Sequence, residues 1–375
     1  LRQALENKEV RTIVASGLYG SSKSFVMASA FTEGVNVVVM DNKDEAQFAT
    51  NDLYSIEGEE NVFFFPCSSN ISNSKINTIK DSSQKVQRSA AISALNSFFN
   101  GEGKCKKVIL IAYPASIYEK IPNKSVLKKN ILKVKKGDMV SHEFIKEVLV
   151  EYGFEKVDFV GEPGQFALRG GIIDIFSFSS DKPCRIDFFG NEIESIREFD
   201  TNTQRSVKEL GEVEIFPNLY KEEEEGLEYV DVFEFVGKKN CTVWVNDFTV
   251  LQGDIYKDVL ANLTENKTVT FNAMPKAADC TVEFRVSPQP SFNKNFNLLL
   301  GDINQKISQG YTIYISSENE RQFERLRNIF AHNNGDDSTK VPKFTEINCS
   351  IHTGFVDTVS KICLYTDHQI FDRYH

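Results

Sequence analysis

Apolar and polar positions along the first third of the chain fall into two alternating registers. Residues 12–16, 35–40, 62–65 and 107–113 are short runs rich in Val, Ile and Phe, the composition of buried strands, with Asn36 the one polar break in the second. Between them, residues 23–32, 45–53 and 82–99 carry longer mixed patterns that predict helices. Strand–helix alternation with apolar strands predicts a parallel sheet covered by helices.

The pattern changes in the middle third. One helix is predicted over 141–152. Residues 158–178 and 184–199 then read as strands joined by Gly-containing turns, with no helix long enough for a crossover. That is an antiparallel meander. Gly190-Asn191 sits between two strands as a two-residue hairpin loop, where glycine supplies a positive φ. The last third returns to α/β signals: strands at 241–245 and 312–316, a helix over 318–330 ending before the turn-rich residues 333–338, and a final buried strand at 361–366.

A chain of 375 residues is expected to form two to four domains, and 41% hydrophobic with 26% charged residues excludes a disordered protein. The apolar runs are far short of a membrane span, and no secretory signal opens the sequence. A start at Leu1 and an end at Tyr374-His375 lead us to expect a chain trimmed from a longer protein. Seven cysteines with no C-x-x-C pair fit a reducing cytoplasm, and the five histidines show no metal-ligand spacing.

The net charge of −10 opposes binding to phosphate backbones unless basic residues are segregated. They are: residues 104–136 hold ten lysines and one acid, Glu119, while Glu222, Glu223, Glu224 and Glu225 open an acidic stretch through Glu228, Asp231 and Glu234. Without aromatic interleaving, these read as two solvated faces, and DNA contact by the lysine segment is the minority reading.

Gly17-Leu-Tyr-Gly-Ser-Ser-Lys-Ser24 follows a strand and opens a helix, the setting of a phosphate-binding loop G-x-x-x-x-G-K-S/T. Gly17, Lys23 and Ser24 are in register, but Ser22 replaces the second glycine. A side chain where such a glycine holds a left-handed conformation costs about 1–2 kcal/mol. An acidic pair to hold Mg²⁺ and activate water is also missing, since Asp41 stands on the following strand. The loop reads as an ancestral scaffold that has lost its activity.

The middle block is the most specific signal. Gly161-Glu-x-Gly, Arg169-Gly-Gly-x-x-Asp174-Ile-Phe176, Arg185-x-Asp-Phe-Phe-Gly190, Glu192-Ile-Glu-Ser-Ile-Arg197 and Phe199-Asp-x-x-x-Gln-Arg205-Ser follow one another in order. Strand alternation puts Arg185, Asp187 and Phe189 on one face, with Ile186 and Phe188 on the other. If the latter fill the core, a large aromatic is left outside beside an arginine, the composition of an interface hot spot. A bulge is expected at Gly170-Gly171. The alternative is that Phe189 packs under the Gly190 turn while Arg169 and Arg185 pair with Asp174 and Asp187.

This string resembles the module shared by the excision-repair protein UvrB and the bacterial transcription-repair coupling factors. Phe64-Phe65-Pro66 is present as in UvrB, yet no tyrosine occurs between Tyr54 and Tyr113 to build a damage-probing hairpin. That absence and Ser22 place the resemblance with the coupling factors. Thr353-Gly-Phe-Val-Asp-Thr-Val359 is similar to their third domain, and residues 222–310 match weakly.

The resemblance implies an α/β fold: a degenerate P-loop helicase-like parallel-sheet domain (1–129 and 219–285), an inserted antiparallel α+β domain (130–218), and a third small α/β domain (286–375). It also implies recruitment of UvrA through Arg169, Arg185 and Phe189, on a face that is covered in the resting full-length protein. Arg197 and Arg205 are expected to pair structurally with Glu194 and Asp200. The full-length protein is expected to be an ATP-dependent DNA translocase that displaces stalled RNA polymerase. ATP, Mg²⁺, RNA polymerase and double-stranded DNA would then belong to motor domains outside this chain, leaving it without catalytic residues, cofactor or metal. The alternative is a divergent UvrB-like nucleotide- and DNA-binding damage-recognition protein.

Overall fold

A computed structural model describes residues 1–67, 82–101, 106–180, 182–218, 228–272, 277–333 and 342–372. Lys104 of the lysine segment, the acidic residues Glu222 to Glu225 and most of the turn-rich stretch after Asn333 lie outside the described residues. The chain divides into two compact units, one of residues 1–62, 109–114 and 239–375, the other of residues 63–108 and 115–238.

The first unit holds most of a seven-stranded sheet. Its order is Cys280–Glu283, Thr12–Ser16, Lys267–Thr270, Cys241–Val245, Gly34–Val39, Lys107–Ala112 and Val62–Phe64. The first five of these pair in parallel. Every residue of Cys241–Val245 is buried, as expected of a central strand covered on both faces. Asn36, the polar break in its neighbour, donates to the Thr32 carbonyl (3.0 Å) and accepts from Trp244 Nε1 (3.4 Å), so its burial leaves neither end unpaired. Lys267–Thr270 and Cys280–Glu283 were not anticipated. Each is four residues long and carries Thr and a charged residue, too short and too polar for a periodicity signal.

A second sheet in the same unit has the order Val286–Pro288, Phe355–Asp357, Ile362–Thr366, Thr312–Ser316 and Thr345–Ile347. The two expected strands, at 312–316 and 361–366, are parallel neighbours at its centre. Helices Phe296–Ser308 and Glu320–Asn333 contribute Leu299, Ile303, Phe323, Leu326 and Phe330 to the core on one face. The second of these runs three residues past the expected end. On the other face Ile351, Phe355 and Leu364 pack with Phe25 of helix Ser22–Ala30 and Ile56 of helix Lys43–Glu57. The phosphate-loop helix is thus covered by the second sheet.

The second unit carries a six-stranded sheet in the order Ser206–Leu210, Glu192–Phe199, Cys184–Phe189, Ile172–Phe176, Gln165–Arg169 and Glu155–Lys156. The meander is antiparallel as expected, except that its last pair, Glu155–Lys156 with Gln165–Arg169, is parallel. Helix His142–Glu151 begins at its Ser141 cap, which accepts from Phe144 N–H (3.1 Å), and packs Ile145 and Leu149 on one face of the sheet. Ile173, Ile175, Ile186, Ile193 and Ile196 fill that core. The opposite face keeps a smaller cluster of Val160, Ala167, Phe176 and Phe199, with Val157 packed against it.

Elsewhere in this unit, Arg88 of helix Ser82–Asn100 is almost fully buried. It donates to the carbonyls of Pro66 (2.8 Å), Ser116 (3.2 Å) and Glu119 (3.0 Å) and lies over the Phe65 ring at 4.0 Å. The Phe-Phe-Pro element is therefore held by one arginine's fork.

Candidate functional site

The order of the middle motif is explained by two hairpins that turn at the same end of the sheet. Gly170-Gly171 joins Arg169 to its cross-strand partner Ile172, and Gly190-Asn191 joins Phe189 to Glu192. Gly170 and Gly190 have φ of 60° and 65°, the left-handed region that favours glycine. The Gly-Gly pair is therefore a turn and not the expected bulge. The bulge lies one hairpin over, where Asp187 pairs with Ser195 but Phe188 pairs with Ile193, leaving Glu194 as the extra residue. Gly171 still serves close approach: its carbonyl accepts from Phe188 N–H (2.8 Å), and a Cβ would meet the Phe188 carbonyl at 3.1 Å.

Alternation survives on the Cys184–Phe189 strand. Ile186 is fully buried and Phe188 packs beside it, whereas Phe189 is 78% exposed. Phe189 does not fold under its turn.

The arginines are paired with a neighbouring acid, as the alternative reading had it, but both on Asp174 and neither on Asp187. Asp174 is 1% exposed and takes a bidentate fork from Arg185, Nε to Oδ1 at 2.6 Å and Nη2 to Oδ2 at 2.9 Å. Arg169 reaches the same carboxylate diagonally at 3.7 Å. Arg185 also donates to the Gln204 carbonyl (3.3 Å) and lies over the Phe199 ring at 4.7 Å. Its side chain is 16% exposed, and its bond to Asp174 raises its pKa further above the ordinary arginine value. Asp187 pairs not with Arg185 but with Arg197, at 2.5 Å, and also accepts from Ser195. Arg185 and Arg197 are cross-strand neighbours, so each needs its own acid to avoid like-charge repulsion.

The motif's remaining residues shape this face. Asp200 meets Arg205 through its backbone N–H, which donates to the Arg205 carbonyl (3.0 Å), and not through the expected ion pair. It accepts from Thr203 N–H and Oγ1, both at 2.8 Å, closing a turn that leaves Gln204 at φ 57° with its carbonyl on Arg185. Gln165 Oε1 accepts from the N–H groups of Gly161 and Glu162, both at 3.0 Å. Gly164, at φ 85°, lies where a Cβ would strike the Phe178 ring at 2.5 Å.

The phosphate loop belongs to the other unit. Gly17 has φ 78°, and a Cβ there would lie 2.0 Å from the Phe284 carbonyl, so the residue is held by packing irrespective of any phosphate. Ser22 closes the loop on itself: its hydroxyl donates to the Tyr19 carbonyl (2.7 Å) and accepts from Tyr19 N–H (2.9 Å). Lys23 Nζ donates to Asn246 Oδ1 (2.7 Å), and Asn246 Nδ2 donates to Asp41 Oδ2 (2.7 Å). Burial lowers the Lys23 pKa against the opposing pull of Asp41, Glu45 and Asp247. Ser24 donates to the buried Asp52 (3.1 Å), whose carboxyl burial pushes upward in pKa.

A loop of the second sheet closes over this helix start. Thr353 N–H donates to Ser21 Oγ (2.8 Å), its side chain fills the space beside Gly20, and His352 N–H donates to Asp52 Oδ1 (2.7 Å) while its ring stacks on Phe48. A cleft of about 270 Å³ remains, lined by Tyr19, Lys23, Asp52, His352 and Thr353 among others. Among the described residues, no cluster of His, Cys, Asp or Glu could hold a metal ion, and no helix is long and apolar enough to cross a membrane.

Four participants were missed by sequence reasoning. Asn246 follows a buried strand and so stands beside Lys23, but a neutral residue gave no catalytic signal. His352 and Thr353 act from more than 300 positions away. Phe159, 66% exposed, stacks on the Arg169 guanidinium at 4.2 Å, and its loop setting gave no periodic pattern.

Residues 132–220 match the family model described as the UvrB interaction domain, which contains the whole motif block. Similar curated proteins include the transcription-repair-coupling factor of Bacillus subtilis, 34% identical over 205 residues, covering 54% of this chain and 17% of that protein. That of Borreliella burgdorferi is 24% identical over 327 residues, covering 70% of this chain and 28% of its own length. That of Escherichia coli is 34% identical over 109 residues, 29% of this chain and 10% of that protein. The matches thus span less than a third of the length of these relatives.

Proposed function

We propose, for a chain that carries a UvrB interaction domain and is a relative of the transcription-repair-coupling factors, that it recruits UvrA through the outer face of its six-stranded sheet. The observation that carries this reading is Phe189. A phenylalanine 78% exposed at the tip of a rigid hairpin, next to a clamp of two arginines on one buried acid, serves no purpose in the core. Aromatic and arginine anchors on a preorganised scaffold are what protein interfaces use. Arg169, Arg185 and Phe189 are its proposed residues, Arg185 mainly by holding Asp174.

The chain itself is proposed to be non-enzymatic. Ser22 bonds the loop shut, Lys23 is engaged by Asn246, and Thr353 packs against Gly20 where phosphate oxygens would need bare backbone. Gly17, Ser22, Lys23 and Ser24 then act as scaffold, and no cofactor is required here. ATP-driven translocation on double-stranded DNA and displacement of RNA polymerase, implied by the kinship, are assigned to sequence beyond these residues. A cytoplasmic site of action is part of this proposal, and the described cysteines form no disulfide.

The test is calorimetric titration of the chain with purified UvrA, wild type against Phe189→Ala. A hot-spot truncation costs about 2–4 kcal/mol, roughly thirtyfold in Kd or more. Unchanged affinity in the variant would remove Phe189 from the contact, and no wild-type binding would end the recruitment reading.

A further inference from the structure

Phe159 has a setting that ordinary surface aromatics lack. It lies in the loop joining the parallel edge strand Glu155–Lys156 to Gln165–Arg169, and two-thirds of its surface faces solvent. Yet the backbone around it is fastened at four points. Val157 N–H donates to the Phe166 carbonyl (2.9 Å), and Arg169 Nη2 donates to the Asp158 carbonyl (3.0 Å). Val160 accepts from Gln204 Nε2 (3.4 Å), and Gly161 N–H donates to Gln165 Oε1 (3.0 Å). Val160 is itself buried in the outer-face cluster with Phe199. A ring presented to water on so constrained a loop loses little conformational freedom when a partner covers it.

Its neighbour gives the chemistry. The Arg169 guanidinium lies over the ring at 4.2 Å, one of its nitrogens used by the Asp158 carbonyl. Arg169 and Arg185 share a single carboxylate, Asp174, so the clamp carries one positive charge in excess. Arg185 is mostly covered, whereas the Arg169 side chain is 37% exposed, so that charge is presented at Arg169. Arg169 and Phe189 each end a strand at the same end of the sheet, two strands apart, which sets their Cα atoms roughly 12 Å apart. Phe159 and Phe189 therefore flank Arg169 within a patch well inside one partner's share of a standard interface, about 800 Å².

We infer that Phe159 is a second aromatic anchor of the partner-binding face, acting as a stacked unit with Arg169 that receives an acidic side chain of UvrA beside an apolar recess. This rests on the recruitment reading. Phe189 and Phe159 then divide the apolar contact, with the exposed guanidinium between them.

The experiment titrates UvrA calorimetrically into six forms of the chain: wild type, Phe159→Ala, Phe189→Ala, Arg169→Ala, the Phe159→Ala/Arg169→Ala double variant and Val150→Ala. Val150 is an exposed residue of helix His142–Glu151, which covers the opposite face of the sheet. Phe159→Ala is expected to weaken binding roughly thirtyfold, with an unchanged thermal melt because the ring is exposed, and Val150→Ala to bind as wild type. Arg169→Ala and Phe159→Ala together should weaken binding less than the product of the two single effects, since either change breaks the stack. If Phe189→Ala loses binding while Phe159→Ala keeps it, the inference is overturned and the recruitment reading stands. If wild type does not bind UvrA, that reading fails first and takes this one with it. Multiplicative losses in the double variant would overturn the stacked unit.

Discussion

Replacing Arg185 by alanine removes both hydrogen bonds that satisfy Asp174, a carboxylate 1% exposed. Truncating one partner of a buried ion pair costs about 3–5 kcal/mol, because the survivor keeps its desolvation cost. Arg169 remains 3.7 Å away and can move closer, which brings the expected loss to about 2–4 kcal/mol. With a urea m-value of about 1.5 kcal/mol/M, the unfolding midpoint of this unit falls by roughly 1.3–2.7 M. Asp174→Leu combined with Arg185→Met replaces the pair by apolar groups of similar bulk and should recover most of that loss. The assay is urea unfolding followed by far-UV circular dichroism on the three proteins. An unchanged midpoint in Arg185→Ala, or a double variant less stable than the single, would refute the argument that Asp174 is the liability. The result also decides how binding data are read: lost UvrA affinity in Arg185→Ala reports the clamp as well as any contact.

Asp52→Asn is expected to stabilise the protein at pH 7. Burial raises the folded-state pKa of Asp52 above its ordinary value near 3.8, so its stabilising contribution is full below that value and is lost as pH rises through the folded pKa. Melting temperatures should favour the variant at neutral pH and converge toward pH 4; a constant gap, or a variant less stable at pH 7, would contradict this. Arg88→Ala strips the fork from three carbonyls and should cost about 3–5 kcal/mol, with Arg88→Lys recovering only part because an ammonium cannot match the planar fork. Matching unfolding midpoints for wild type and Arg88→Ala would count against that assignment. Ser22→Gly restores the loop's glycine pattern but leaves the Lys23–Asn246 bond and the Thr353 cover in place. A fluorescent ATP analogue should therefore still fail to bind it at high micromolar concentration, and binding would show Ser22 alone to be the block.

The fold was legible where burial imposes a period on the sequence, and illegible where tertiary partners substitute for one. Val35 to Val39 announces a central strand because both of its faces are covered, and the middle meander announces itself by alternation and paired glycines. Lys267–Thr270 is equally central yet silent, since its threonines are buried under neighbours that only the topology supplies. The same division runs through the sites. Strand alternation is enough to turn Phe189 outward, and a phosphate-loop pattern is enough to locate Gly17 to Ser24. Partner choice is not local: Arg185 could take Asp174 or Asp187, and the cross-strand presence of Arg197 decides it by claiming Asp187. Nor can the loop's own residues say what lies on them. The closure by Thr353 and the capture of Lys23 by Asn246 join positions 332 and 223 apart, so the state of that loop depends on residues of both sheets as well as on the Ser22 bonds within the motif. Substitutions at Thr353 or Asn246 should thus change the loop more than most substitutions within it, a ranking that hydrogen exchange at the Tyr19 to Lys23 amides can test directly.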